Sequence, residues 1–96
     1  MATSKINSLK RKVTTSITIK SVSGDTRQSG TITEDGLYVL TISGTYGLAM
    51  VNGIAVISNP ETNASTNSVV MELYAGDTYT IGGWNIAASA SIRKIG

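Results

Sequence analysis

The pair Asn52-Gly53 is the sequence feature that most constrains how this chain folds. It stands between two apolar runs, LAMV (48–51) and IAVI (54–57). Both central residues of a two-residue hairpin turn need a positive φ, which Asn and Gly adopt more readily than other residues. The pair therefore predicts a tight β-hairpin.

Alternating residues predict a strand over 13–22 with one buried face, formed by Val13, Thr15, Ile17 and Ile19. A short, weak strand is predicted around residues 31–33, followed by a turn in which Gly36 can take a positive φ. The run GLYVLTISG (36–44) is apolar on both faces. This pattern predicts a strand covered on both sides, by its own fold or by a neighbouring subunit.

Two later segments complete the predicted strands. VVMELY (69–74) is followed by a turn at 75–77, after which residues 78–81 are expected to pair back. After a flexible corner at 82–85, the strand 86–95 is expected to bury Ile86, Ala88, Ala90 and Ile92. About eight short antiparallel strands without a convincing helix predict an all-β fold, a compact β-sandwich or jelly roll.

Composition supports this class and limits the chemistry. Thr and Ser together number 25 of the 96 residues, which suits strands and tight turns. The chain has neither cysteine nor histidine, and so lacks thiolate ligands and the commonest metal ligand and general base. We therefore predict a non-enzymatic protein without a cofactor or metal. A small core without cross-links often gains stability by association, so we expect a homo-oligomer.

Charge divides the chain near residue 12. Residues 1–12 contain no acid, and their cations are Lys5, Lys10, Arg11 and Lys12. The remaining residues hold the other four cations against six acids, a net charge of about −2. We therefore predict an extended basic N-terminal arm over 1–12 and a β-sandwich domain over 13–96. In the arm, Ile6 and Leu9 are expected to lie in a groove of a partner protein while the three consecutive cations meet carboxylates around it.

Two other interpretations of the arm stay open. Chain termini are usually solvated, and cations also bind nucleic acid. However, the acidic body offers no basic face along which phosphates could lie, so we expect a protein partner and no nucleic acid. The sequence contains no run of about 20 apolar residues and no apolar leader, which predicts neither a membrane span nor a secretion signal.

Trp84 is the one tryptophan of the chain, and it follows two glycines. It could stack on a sugar ring together with Tyr46, Tyr74 or Tyr79. Alternatively it closes the end of the sandwich or forms a subunit contact, because large aromatic side chains carry much interface energy. We favour the second interpretation. Asp25, Asp35 and Asp77 each adjoin a glycine, which indicates turn roles rather than catalysis or calcium binding.

Three segments occur in an order that resembles the strand motifs of the tumour necrosis factor and complement-type jelly rolls. They are EDGLYVLTISG (34–44), AMVNGIAV (49–56) and VVMELYAGDTYTI (69–81). The family motifs correspond to Gly36 with Tyr38, Asn52-Gly53, and Leu73 with Gly76-Asp77. The resemblance covers roughly residues 34–82, and the closing segment AASASIRKIG departs from it. It implies a three-fold assembly in which an apolar sheet face packs against its neighbours.

A small β-domain with an N-terminal arm is also similar to the accessory proteins of tailed bacteriophages. We therefore predict a structural virion protein, a capsid decoration or spike component that docks through its arm onto the major capsid or fibre protein. The alternative is a receptor- or glycan-binding tip domain of a phage fibre or adhesin, with Trp84 and the 58–68 loop as the contact region.

Overall fold

The computed structural model describes residues 16–62 and 64–96. These residues form eight strands and no helix: β1 (Ile17–Ser23), β2 (Arg27–Thr31), β3 (Gly36–Ser43), β4 (Gly47–Val51), β5 (Ile54–Ser58), β6 (Asn67–Leu73), β7 (Thr78–Gly83) and β8 (Ser89–Lys94). The strands make two four-stranded antiparallel sheets, in the orders β1-β8-β3-β6 and β2-β7-β4-β5. The predicted arm over 1–12 and its boundary at residue 13 lie outside the described residues.

The strand order is that of one long hairpin rolled into two sheets. β4 pairs with β5, β3 with β6, β2 with β7 and β1 with β8, while the β3–β8 and β4–β7 pairs complete the sheets. This is the jelly-roll arrangement. The tip of the hairpin is Asn52-Gly53, with φ angles of 51° and 81° as the turn requires. The predicted all-β sandwich and its hairpin are confirmed.

The core lies between the two sheets. β3 supplies its centre, because Tyr38, Leu40 and Ile42 are buried on one side of the strand while Val39 on the other side is half-buried. The Tyr38 hydroxyl donates a hydrogen bond to the Glu34 carbonyl at 2.6 Å, which satisfies this buried polar group. The core residues are Val22, Ile32, Tyr38, Leu40, Ile42, Ala49, Val51, Leu73, Tyr79, Ile81, Ala90 and Ile92.

The buried face predicted for the first strand is wrong. Ile17 and Ile19 are 58% and 39% exposed, whereas Val22 is buried. The pairing of β1 with β8 shifts between Thr18 and Lys20, and a bulge of this kind moves the following side chains to the opposite face. The other two members of the predicted face, Val13 and Thr15, lie outside the described residues.

Three details of the later strands also differ from prediction. β7 does not pair back on β6 but crosses to the other sheet, between β2 and β4. Ile86 is 87% exposed because it precedes β8 in a loop, although Ala88, Ala90 and Ile92 are buried as predicted. Gly36 is the first residue of β3 and is not among the glycines with a positive φ.

Candidate functional site at the Trp84 end

Successive strand connections alternate between the two ends of the sandwich, because all pairs are antiparallel. One end carries the β1–β2, β3–β4, β5–β6 and β7–β8 connections, and we call it the Trp84 end. The other end carries the β2–β3, β4–β5 and β6–β7 connections, the start of β1 and the C-terminus. We call it the entry end. The N-terminal segment therefore joins the sandwich at the end opposite to Trp84.

Trp84 forms a cation–π pair with Arg27. The guanidinium carbon lies 4.5 Å from the centroid of the indole ring, and the tryptophan side chain is 54% exposed. Arg27 Nη1 also donates to the Gly83 carbonyl at 2.6 Å and lies 3.5 Å from a carboxylate oxygen of Asp25. The arginine is thus held by the backbone while it lies over one face of the indole.

Gly82 and Gly83 let the backbone pack closely enough for the side chains of Arg27 and Trp84 to meet. Arg27 lies opposite Gly82 in the β2–β7 pair, and a Cβ at Gly82 would clash with the Thr26 carbonyl oxygen. A Cβ at Gly83 would lie 2.7 Å from the Tyr46 carbonyl oxygen. Both glycines belong to β7 and permit close backbone packing, so the predicted flexible corner at 82–85 is wrong for them.

Tyr46 brings a second aromatic side chain to the Trp84 end. It lies in the β3–β4 turn with a φ of 61°, and its side chain is 39% exposed. Its carbonyl accepts a hydrogen bond from the Trp84 backbone N–H at 3.4 Å. The pKa of Tyr46 is raised, first by partial desolvation of its hydroxyl. The negative charge of Glu61 and the hydrogen bond between that carboxylate and the hydroxyl raise it further. Three of the four connections at this end, β3–β4, β5–β6 and β7–β8, thus meet around Tyr46.

Asn59 holds the β5–β6 connection against the β3–β4 turn. Its buried Nδ2 donates to the Gly44 carbonyl at 3.0 Å and to the Ser65 carbonyl at 2.6 Å, and its Oδ1 accepts from Asn67 at 2.7 Å. Sequence reasoning did not identify this residue. The available signal was Asn followed by Pro60 in a polar loop, which marks a turn but not a buried amide.

The predicted site residues have different outcomes. Trp84 is 54% exposed at one end of the sandwich, and its subunit contact stays a prediction. Tyr79 is buried in the core and Tyr74 lies at the entry end, so neither joins Trp84. The residues predicted to bind a partner lie outside the described residues: Lys5, Ile6, Leu9, Lys10, Arg11 and Lys12.

At the entry end the predicted turn role is confirmed for Asp77, whereas Asp35 bonds across to the β6–β7 turn and not within its own. Asp35 accepts a hydrogen bond from the Ala75 N–H at 2.8 Å, and Asp77 accepts one from the Tyr74 N–H at 2.8 Å. Asp77 also accepts from Asn52 Nδ2 at 3.2 Å, so it links the hairpin tip to the β6–β7 turn. These carboxylates satisfy backbone donors where the chain reverses.

Asp77 makes the stability of the fold depend on pH. The hydrogen bonds from Tyr74 and Asn52 hold the pKa of Asp77 below its ordinary value of 3.8. Because the folded pKa lies below the unfolded one, this stabilisation is present above about pH 4 and is lost as the pH falls through the folded pKa. We expect Asp77→Asn to flatten the acid decline of the melting temperature, followed by circular dichroism between about pH 5 and pH 2. Parallel profiles for variant and wild type would contradict this role.

Among the described residues, no group of three or more His, Cys, Asp or Glu side chains could hold a metal ion. Over the same part of the chain, no helix has the length and apolar character that crossing a membrane requires.

Neither a protein-family model nor a curated protein matches the chain. A solved structure of a Paenibacillus sp. cycloisomaltooligosaccharide glucanotransferase, complexed with cycloisomaltoheptaose, is similar at 17% identity and a TM-score of 0.38. The match covers 73% of this chain but 13% of that one. A likeness at this level carries no argument about function.

Proposed function

We propose that this chain is a non-enzymatic structural protein of a tailed-phage virion, a decoration or spike component that docks through residues 1–12. The observation that supports this proposal is the two-ended fold. The N-terminal segment joins the sandwich at the entry end, while the exposed side chains of Trp84, Tyr46 and Ile86 lie at the opposite end. Anchoring at the entry end leaves the Trp84 end free to make outward contacts.

The outer face of the β1-β8-β3-β6 sheet suits a protein displayed on a particle. The strand register places two rows of hydroxyl side chains across it, Ser21, Ser91, Thr41 and Ser68 in one row and Ser23, Ser89, Ser43 and Thr66 in the other. Cross-strand hydrogen bonds of 2.9 Å join Thr41 to Ser68 and Ser43 to Thr66. These rows are uncharged and polar, and polar surface of this kind resists unwanted association.

Homo-oligomerisation remains part of the proposal, and the outer face of this sheet is one surface that could form the contact. A third row of side chains lies beside the two hydroxyl rows on this outer face. It holds Arg93 and the apolar cross-strand pair Val39–Val70. A trimer built on this sheet would therefore bury Leu37 and the Val39–Val70 pair together with the small polar side chains of the hydroxyl rows.

Deletion of residues 1–12 tests the docking role. We expect the truncated chain to fold as the wild type does, judged by circular dichroism, but to lose binding to particles that lack this protein, measured by co-sedimentation. A second variant separates the charge of the arm from its length: the full-length chain with Lys10, Arg11 and Lys12 all changed to glutamate. It should bind weakly if the cations steer docking to an acidic surface. Normal binding by the truncated chain would show that the arm is not the anchor.

A second candidate function is receptor or glycan binding by the Trp84 end. It is favoured by an exposed indole ring that Arg27 already supports from one side.

A further inference from the structure

We propose that the Trp84 end is a binding site for a neutral saccharide, with the free side of the Trp84 indole as the platform for one sugar ring. This inference rests on the second candidate function and names its ligand class. The first observation is the fixed position of the ring. Because Arg27 lies over one face and is itself bonded to the Gly83 carbonyl, stacking on the other side costs little further side-chain entropy.

The second observation is the supply of polar groups beside the platform. The Asp25 side chain is 65% exposed next to Arg27, and Glu61 lies beside the exposed Tyr46. Small-ligand sites combine an apolar or aromatic surface with a few polar groups that fix orientation. Carboxylates accept hydrogen bonds from two hydroxyls at once, which matches the adjacent hydroxyls of a sugar ring.

Charge selects a neutral sugar over an acidic one. At the Trp84 end the charged side chains of the described residues are Asp25, Glu61 and Arg27, a net charge of −1. The one cation is already engaged with the indole, the Gly83 carbonyl and Asp25. A sialylated, sulfated or phosphorylated ligand would therefore meet net repulsion and a guanidinium whose charge is partly neutralised.

The size of the exposed patch favours a small ligand over a protein partner. Among the exposed large apolar side chains of the described residues, Trp84, Tyr46 and Ile86 lie at this end. A stable protein interface buries about 800 Å² per partner around a contiguous apolar centre. Three exposed side chains are too few to provide such a centre, but an indole platform with polar groups beside it suffices for one sugar ring.

The test uses the full chain on an array of neutral, sialylated and sulfated glycans, followed by fluorescence titration with the neutral glycans that bind. Trp84 is the one tryptophan, so its emission reports directly on the platform. We expect binding to neutral glycans, a loss of about tenfold or more in affinity for Trp84→Ala, and a smaller loss for Arg27→Ala. The matched control is Tyr74→Ala, an equally exposed aromatic at the entry end, which should bind as the wild type does.

Three outcomes would overturn the inference: no binding to any neutral glycan at millimolar concentration, undiminished binding by the folded Trp84→Ala variant, or binding confined to acidic glycans. Failure of the docking proposal is distinguishable from these. The chain lacking residues 1–12 should still bind the same glycans, because the arm joins the sandwich at the opposite end.

Discussion

Gly44→Ala is expected to lower the free energy of unfolding by about 3 kcal/mol, through a backbone clash that no side-chain rotation relieves. Gly44 has a φ of 87°, and a Cβ added there would clash with the Ala87 carbonyl oxygen and lie 3.1 Å from the Ala88 Cα. The left-handed conformation costs alanine about 1 kcal/mol, and overpacking against a fixed backbone adds about 1–3 kcal/mol.

Gly24→Ala is the matched control for this effect. Gly24 has a similar φ of 93°, but a Cβ there meets no atom within 4 Å. We expect a loss of about 1 kcal/mol at this position, measured like that of Gly44→Ala by urea unfolding. Gly44→Ala should also change the Trp84 emission, since Ala87 belongs to the same connection as Trp84. Equal losses for the two variants would show that the clash at Gly44 is relieved by local movement.

Asn59→Ala is expected to destabilise the fold by a similar amount, about 3 kcal/mol, because it removes a donor shared by two carbonyl groups. Asn59 is 4% exposed, and its Nδ2 donates to the Gly44 and Ser65 carbonyls while its Oδ1 accepts from Asn67. Each buried group left without a partner costs about 1–3 kcal/mol. The expected loss exceeds that of any exposed polar substitution in the same loop.

Two further variants identify the cause of that loss. Asn59→Asp keeps the size and the acceptor but lacks the donor, so we expect it to be at least as destabilising as the alanine variant. Thr62→Ala, an exposed position in the same connection, should change stability by less than about 0.5 kcal/mol. A change of that small size for Asn59→Ala would mean that water replaces the amide without cost.

Local sequence patterns predicted the elements whose geometry depends on neighbouring residues. The Asn52-Gly53 hairpin was predictable because both φ angles are properties of the turn residues themselves. The apolar run 36–44 predicted strand β3, but with apolar residues on both faces it did not indicate that Tyr38, Leu40 and Ile42 would form the buried one. The buried face of β1 was not predictable in this way, because one bulge reverses the alternation without altering composition.

The candidate site depended on contacts between distant parts of the chain. Arg27 and Trp84 are 57 positions apart, and they meet because β2 pairs with β7 in a sheet that the sequence led us to pair differently. Similarly, Asn59 is an ordinary loop residue in the sequence but a buried amide in the fold, because the β3–β4 turn packs against its loop. Neither contact has a local signal.

By itself, the sequence determined the strand class, the hairpin tip and the inward-facing residues of β8 in this protein. These features follow from φ preferences and from the period-two alternation of side chains, both of which act over a few residues. Tertiary structure alone decided which strands pair, which side of β1 faces the core, and which loops surround Trp84. Those outcomes depend on non-local packing, in which glycines at positions 44, 82 and 83 permit close backbone approach that single-strand patterns do not encode.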